Sequence, residues 1–185
     1  MTRFLVAACC VLVHLSAEAQ FFQRPIRIKP PAGGNCGSRQ GAVCQINAQV
    51  FNFGRGQMSA ESPAINAHNT ISVTCTRSPE LEGVDVLVDF YLRALPNEPS
   101  RYMRDSHLLY LRYYMFVDAA RTRHWGTGVG GTFAFEGTLQ LNNRNRVGTL
   151  AFPVYGQVDG GQTNVLPGQW LGATVTQLEY QVSCN

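Results

Sequence analysis

Val84, Val86, Val88, Phe90 and Leu92 are apolar, while Asp85, Asp89 and Arg93 fall on the positions between them. A repeat of two sends the first set to one face of an extended strand and the second to the other, whereas a helix would mix them. The run is a strand buried on one side. The same period returns in the run from Cys44 to Gly54, where Ile46, Ala48 and Val50 alternate with Gln45, Asn47 and Gln49. It returns again where Ile71, Val73 and Cys75 alternate with Ser72 and Thr74. Further strands are expected over 108–117, 133–141, 148–158 and 172–183. Turn clusters at Pro96-Asn-Glu-Pro99, Gly128-Val-Gly-Gly131, Asn142-Asn-Arg-Asn145 and Gly160-Gly-Gln162 separate them. No segment carries an amphipathic helical repeat. Short strands divided by turns predict an all-β chain, folded as an antiparallel β-sandwich.

The N-terminus reads as a secretory signal: Arg3, an apolar run from Phe4 to Leu15, and small residues Ala17 and Ala19, with cleavage expected before Gln20. Val6-Ala-Ala-Cys9 is loosely lipobox-like, but too few apolar residues precede it for lipid attachment to be the preferred reading. The apolar run is about a dozen residues, short of the roughly 20 that span a bilayer, so no membrane insertion is expected. Processing removes Cys9 and Cys10 and leaves Cys36, Cys44, Cys75 and Cys184, an even number in an oxidising compartment, which predicts two disulfides. Four cysteines allow three pairings. If the strands that hold them are neighbours, Cys44 joins Cys75 and Cys36 joins Cys184. The first bridge closes a loop of about thirty residues and restricts the unfolded chain by roughly 3 kcal/mol or somewhat more. A zinc site on the four thiolates is the rival reading, and the lack of a C-x-x-C pair argues against it.

Residues 20–35 form an extended arm. Phe21, Phe22, Ile26 and Ile28 are apolar, Arg27 and Lys29 alternate with the isoleucines, and Pro25, Pro30 and Pro31 exclude a helix. The division expected is therefore a signal peptide over 1–19, an arm and spacer over 20–43, and a β-sandwich over 44–185.

Catalytic chemistry finds no constellation. There is no G-x-S-x-G, and His68, His107 and His124 stand in no motif with a nucleophile. Asp85 and Asp89 on one strand face lie about 13 Å apart, too far for a glycosidase pair. Gly126-Thr-Gly-Val-Gly-Gly131 lacks the lysine of a phosphate loop. The formal charge of +3, carried by scattered arginines, does not point to nucleic acid. No enzyme, cofactor or metal is expected. Tyr110, Tyr113, Tyr114, Phe116 and Trp125 could form a stacking platform for sugars or bases, but alternation sends about half of such a cluster into the core, and core and turn packing is the preferred reading, Trp125 being its least certain member.

An ordered series of motifs runs from 44 to 185. Cys44 opens a strand that closes in Phe51-Asn-Phe-Gly54, a second strand ends Val73-Thr-Cys-Thr76, and Arg101-Tyr-Met-Arg104 follows. Then come Tyr114-Met-Phe-Val-Asp118, Trp125-Gly126, Pro153-Val-Tyr-Gly156, Pro167-Gly-Gln-Trp170 and a terminal strand with Tyr180. In these the chain resembles the spore coat protein U domain, a family whose other members are secreted subunits of archaic chaperone/usher pili. It departs from the family at Thr127, where an acidic residue commonly follows Trp-Gly, and at Gly172 and Ala173, where an aspartate is usual. Cys36 and Cys184 look like additions.

The resemblance implies an immunoglobulin-like sandwich lacking its last strand. It implies as partners a periplasmic chaperone, an outer-membrane usher and other pilus subunits, and a place at the cell surface in adhesion and biofilm formation. The arm then becomes a donor strand, with Phe22, Ile26 and Ile28 inserting into a neighbour's groove. A spore-coat or extracellular matrix protein of the same fold, and a carbohydrate-binding adhesin using Trp125, are the alternatives.

Overall fold

The structure, a computed structural model, describes residues 15–23, 27–28, 36, 41–49, 51–56, 59–104, 107–163 and 168–184. Among these there is no helix. The strands are β1 (Leu15–Gln23), β2 (Arg27–Ile28), β3 (Ala42–Ala48), β4 (Phe51–Gly56), β5 (Ile65–Arg77), β6 (Val86–Leu95), β7 (Ser100–Arg104), β8 (Tyr110–Phe116), β9 (Phe135–Leu141), β10 (Val147–Val158) and β11 (Gly168–Cys184).

They form two layers. One runs β3-β5-β10-β8-β7; the other holds β9, β6, β11, β1 and β4. A short pairing of β11 with β7, Leu171 opposite Arg104 and Gly172 opposite Met103, joins the layers along one side. Every pairing is antiparallel except those of β1 and β2 with β11. The all-β sandwich expected from the alternation is what the chain adopts.

Alternation fixes the core. Val86, Val88, Phe90 and Leu92 of β6 are buried, and Leu178, Tyr180 and Val182 of β11 pack on the same side. Ile71 and Val73 of β5, Val154 and Val158 of β10, and Leu111, Tyr113 and Met115 of β8 face them from the other layer. Rings bridge the gap: Phe152 of β10 meets Phe90 edge-on at 5.9 Å and Phe135 at 5.0 Å. Cys44 stands directly opposite Cys75 in the β3–β5 register, and the two are bonded. Cys36 is bonded to Cys184, and both are buried. The pairing that neighbouring strands favour is thus the one formed.

Among the differences from the sequence reading, three bear on the site. The run 44–54 is two strands: β3 joins one layer and β4 the other, and the buried parity changes from the even positions Cys44 and Ile46 to the odd positions Phe51 and Phe53. A change of parity is what a crossing between layers requires, because one extra residue turns the other face inward. β7 was hidden by its brevity, by the proline-rich turn ahead of it, and by Arg101, a charged residue at an inward position. β11 starts at Gly168, four residues ahead of the expected 172.

Candidate strand-acceptor groove

β4 and β11 do not pair with each other. β1 lies between them, parallel to β11 from Leu15↔Gly168 to Gln23↔Thr176, and antiparallel to β4 from Leu15↔Gly56 to Ala19↔Phe51 with an irregularity between Ser16 and Glu18. Farther along, β2 continues the contact with β11, Arg27 opposite Glu179 and Ile28 opposite Tyr180. The domain therefore has a slot one strand wide, and the chain's own N-terminal segment fills it. Main-chain donors and acceptors of β4 and β11 line its two edges, groups that a strand entering from anywhere can satisfy.

The floor of the slot is aromatic at the β4 side. Phe51 and Phe53 pack at 5.0 Å, Phe53 meets the Tyr113 ring at 5.8 Å, and all three are buried. Gly156 of β10 makes this possible. A Cβ there would stand 2.5 Å from Phe51 Cε1 and 2.7 Å from Phe53 Cε1, so the two rings rest on bare backbone.

Toward β11 the floor turns polar. The Tyr113 hydroxyl and the Thr174 hydroxyl are 3.1 Å apart, and burial holds the Tyr113 phenol above its ordinary pKa although the Thr174 hydrogen bond and the Arg101 charge act the other way. Arg101, 2 % exposed, donates from Nη2 to the carbonyl oxygens of Trp125 (2.5 Å) and Pro96 (3.4 Å). Among the described residues its Nε and Nη1 have no hydrogen-bond partner, and burial lowers its pKa. Thr176 Oγ1 is likewise buried without a partner among the described residues.

The loop from 117 to 134 braces this region. The Asp118 carboxylate accepts from the Thr122 and Arg123 backbone N–H groups, the latter at 2.8 Å. Burial pushes its pKa up, but these hydrogen bonds outweigh that and leave it below the usual value. Asn97 Oδ1 accepts from Thr127 N, Thr127 Oγ1 and Thr132 Oγ1 at 2.6–2.7 Å, and its Nδ2 donates to Val129 O. Thr127, one of the departures from the family pattern, thus secures the glycine-rich turn through a neutral amide. Sequence reading missed Asn97, because its partners lie about thirty residues downstream and only the fold brings them near.

Of the expected donor-strand residues, Phe22 falls in β1 opposite Val175 and Ile28 in β2 opposite Tyr180, while Ile26 lies outside the described residues. The sugar platform is divided. Tyr113, Phe116 and Trp125 are buried, Tyr114 is half-buried and Tyr110 is exposed. Trp125 has no exposed surface, donates from Nε1 to Leu92 O at 3.1 Å and packs on Phe135 at 5.4 Å, so it belongs to the core and no ligand reaches it. His68 and His107 are exposed, and His124 packs beside the Phe116 ring. Among the described residues no three His, Cys, Asp or Glu side chains gather as a metal would require, and no helix is long and apolar enough to cross a membrane.

No curated protein matches the chain. Residues 36–176, most of the chain, match the Spore Coat Protein U domain, and the protein belongs to that family.

Proposed function

We propose that the protein is an exported structural subunit of a chaperone/usher-type adhesive pilus, assembled by donor-strand exchange and serving surface attachment and biofilm formation. One observation carries the reading: the sandwich has a slot between β4 and β11 that an N-terminal extended segment occupies. Strand addition of this kind draws affinity from main-chain hydrogen bonds and selectivity from alternate side chains.

Signal cleavage before Gln20 gives the slot a vacancy. Every β1–β4 register pair involves residues 15–19, ahead of the expected cleavage point, so the processed chain retains only residues 20–23 of β1, all of them against β11. The β4 edge is then open to a chaperone strand before assembly and to a neighbour's arm afterwards. Cys36–Cys184 ties the base of the arm to the end of β11 and lets residues 20–35 leave the domain there.

Pairing of the arm with its own β11 favours a second reading, a coat or matrix protein that fills its own slot and does not polymerise. Replacing Ile26 and Ile28 by Asp separates the two. On the pilus reading the variant remains a folded monomer and forms no fibres by electron microscopy. Normal fibres from it would refute the donor-strand assignment, and a parent protein that stays monomeric alongside its chaperone and usher would favour the coat reading.

A further inference from the structure

The outer face of the β7–β8–β10 layer is lined by tyrosines with arginines set against them. Tyr102 and Tyr110, 53 % and 57 % exposed, meet edge-on at 6.0 Å. The Arg104 guanidinium lies 5.4 Å from the Tyr110 ring centre, and that of Arg121 lies 6.0 Å from the Tyr155 ring centre. Between them Arg112 sits 5.9 Å from Tyr114 and is held at 2.6–2.7 Å by Asp159.

The face is built rather than loose. Gln162 bonds both the backbone N–H and the carbonyl of Arg112, and Gln157 donates to Asn66 at 3.1 Å in the row beside Tyr114. From Tyr110 to Tyr114 along β8 the rings span about 13 Å. Among the described residues Arg104 and Arg121 face no carboxylate within ion-pair distance.

We propose that this face binds an acidic polysaccharide, a polymer of uronate sugars. Half-exposed tyrosine rings accept the C–H faces of pyranoses, arginine forks pair with carboxylates bidentately, and side-chain amides serve the hydroxyls. Charge selects the polymer and the face. The opposite outer face carries Asp89, Glu136 and Glu179 against Arg93, which Glu179 already engages at 3.2 Å, so it repels a polyanion. The inference stands apart from pilus assembly, because a monomer presents the face.

Affinity electrophoresis of the secreted monomer through gels containing polygalacturonate, neutral dextran or single-stranded DNA tests it. Polygalacturonate retards the parent at low salt and less as salt rises, and dextran does not. Arg104→Gln weakens retardation about tenfold, the worth of one charge-assisted hydrogen bond, the double change Tyr102→Ala, Tyr110→Ala weakens it through lost ring stacking, and Arg93→Gln on the far face leaves it unchanged. All are at solvent-reached positions, and an unaltered thermal melt confirms the fold. Arg104→Lys, which keeps the charge and loses the fork, gives an intermediate effect. Absence of retardation by polygalacturonate, equal retardation by dextran, tighter binding to DNA, or a loss in Arg93→Gln as large as in Arg104→Gln would each overturn the proposal.

Discussion

Gly156 is where a single methyl group tests the floor of the slot. A Cβ added there would lie 2.5 Å from Phe51 Cε1 and 2.7 and 2.8 Å from two atoms of the Phe53 ring. Neither ring can swing aside freely, since Phe51 is fully buried, Phe53 is 5 % exposed, and Phe53 is backed by Tyr113. Overpacking of this kind costs about 1–3 kcal/mol. Replacing glycine in a strand returns about 0.5–1 kcal/mol of chain entropy, so Gly156→Ala is expected to destabilise by about 1–2 kcal/mol. For a domain of this size that lowers the melting temperature by roughly 4 °C.

A double-mutant cycle sharpens the test. Phe53→Ala alone costs about 4 kcal/mol. In its presence Phe51 has room to tilt, so Gly156→Ala becomes neutral or stabilising, a coupling of about 1–3 kcal/mol. Denaturant titration with disulfides intact measures all four proteins. Additive effects, or a Gly156→Ala variant that melts at or above the parent, would show that the rings do not rest on Gly156 and that the slot floor is wrongly placed.

Trp125→Ala is expected to cost about 4 kcal/mol and to lower the melting temperature by roughly 10 °C, with Trp125→Phe milder, because a buried ring and the hydrogen bond to Leu92 O are lost. A Trp125→Ala protein of unchanged melt would return this residue to the surface and to ligand binding. His124 is held neutral in the fold: burial first, and the Arg101 charge second, lower its pKa from 6.5 against the opposing pull of Asp118. The unfolded chain therefore takes up the proton more readily. The contribution of His124 is fully present above about pH 6.5 and is lost as pH falls through its lower folded-state value. Between about pH 7 and pH 5, His124→Phe should lose less stability than the parent in parallel melts, and equal losses would refute the assignment.

Period-two alternation made the sandwich legible, because burial on one face is written into every second residue of β5, β6 and β8. The same pattern favoured Cys44–Cys75 on condition that their strands are neighbours, and the β3–β5 register meets that condition. Two things stayed out of reach for a common reason. The crossing between β3 and β4 leaves only a shift of one position in the sequence, Val50 beside Phe51, which does not say that the next strand joins the other layer. The polar floor at Arg101, Thr174 and Thr176 places charged or hydroxyl side chains at inward positions, where pattern alone would assign solvent. The slot itself was foreseen only through family likeness, since a gap between strands has no residues of its own to read. Trp125 was the least certain member of a cluster read mainly as packing, and its burial places it in the core.

If the chain assembles as proposed, Cys36–Cys184 has a consequence for the geometry of the fibre. It fastens the chain at the end of β11, so with cleavage before Gln20 and release of the arm from β11 the leash would be residues 20–35, and a peptide covers at most about 3.4 Å per residue. The tip of that leash reaches no farther than about 55 Å from its anchor, which sets a ceiling on the step between successive subunits joined by arm transfer. Reduction would move the anchor forward to the start of β3 at Ala42 and lengthen the leash by about 20 Å. Subunit spacing, read as an axial repeat, would then report the redox state of a single bond.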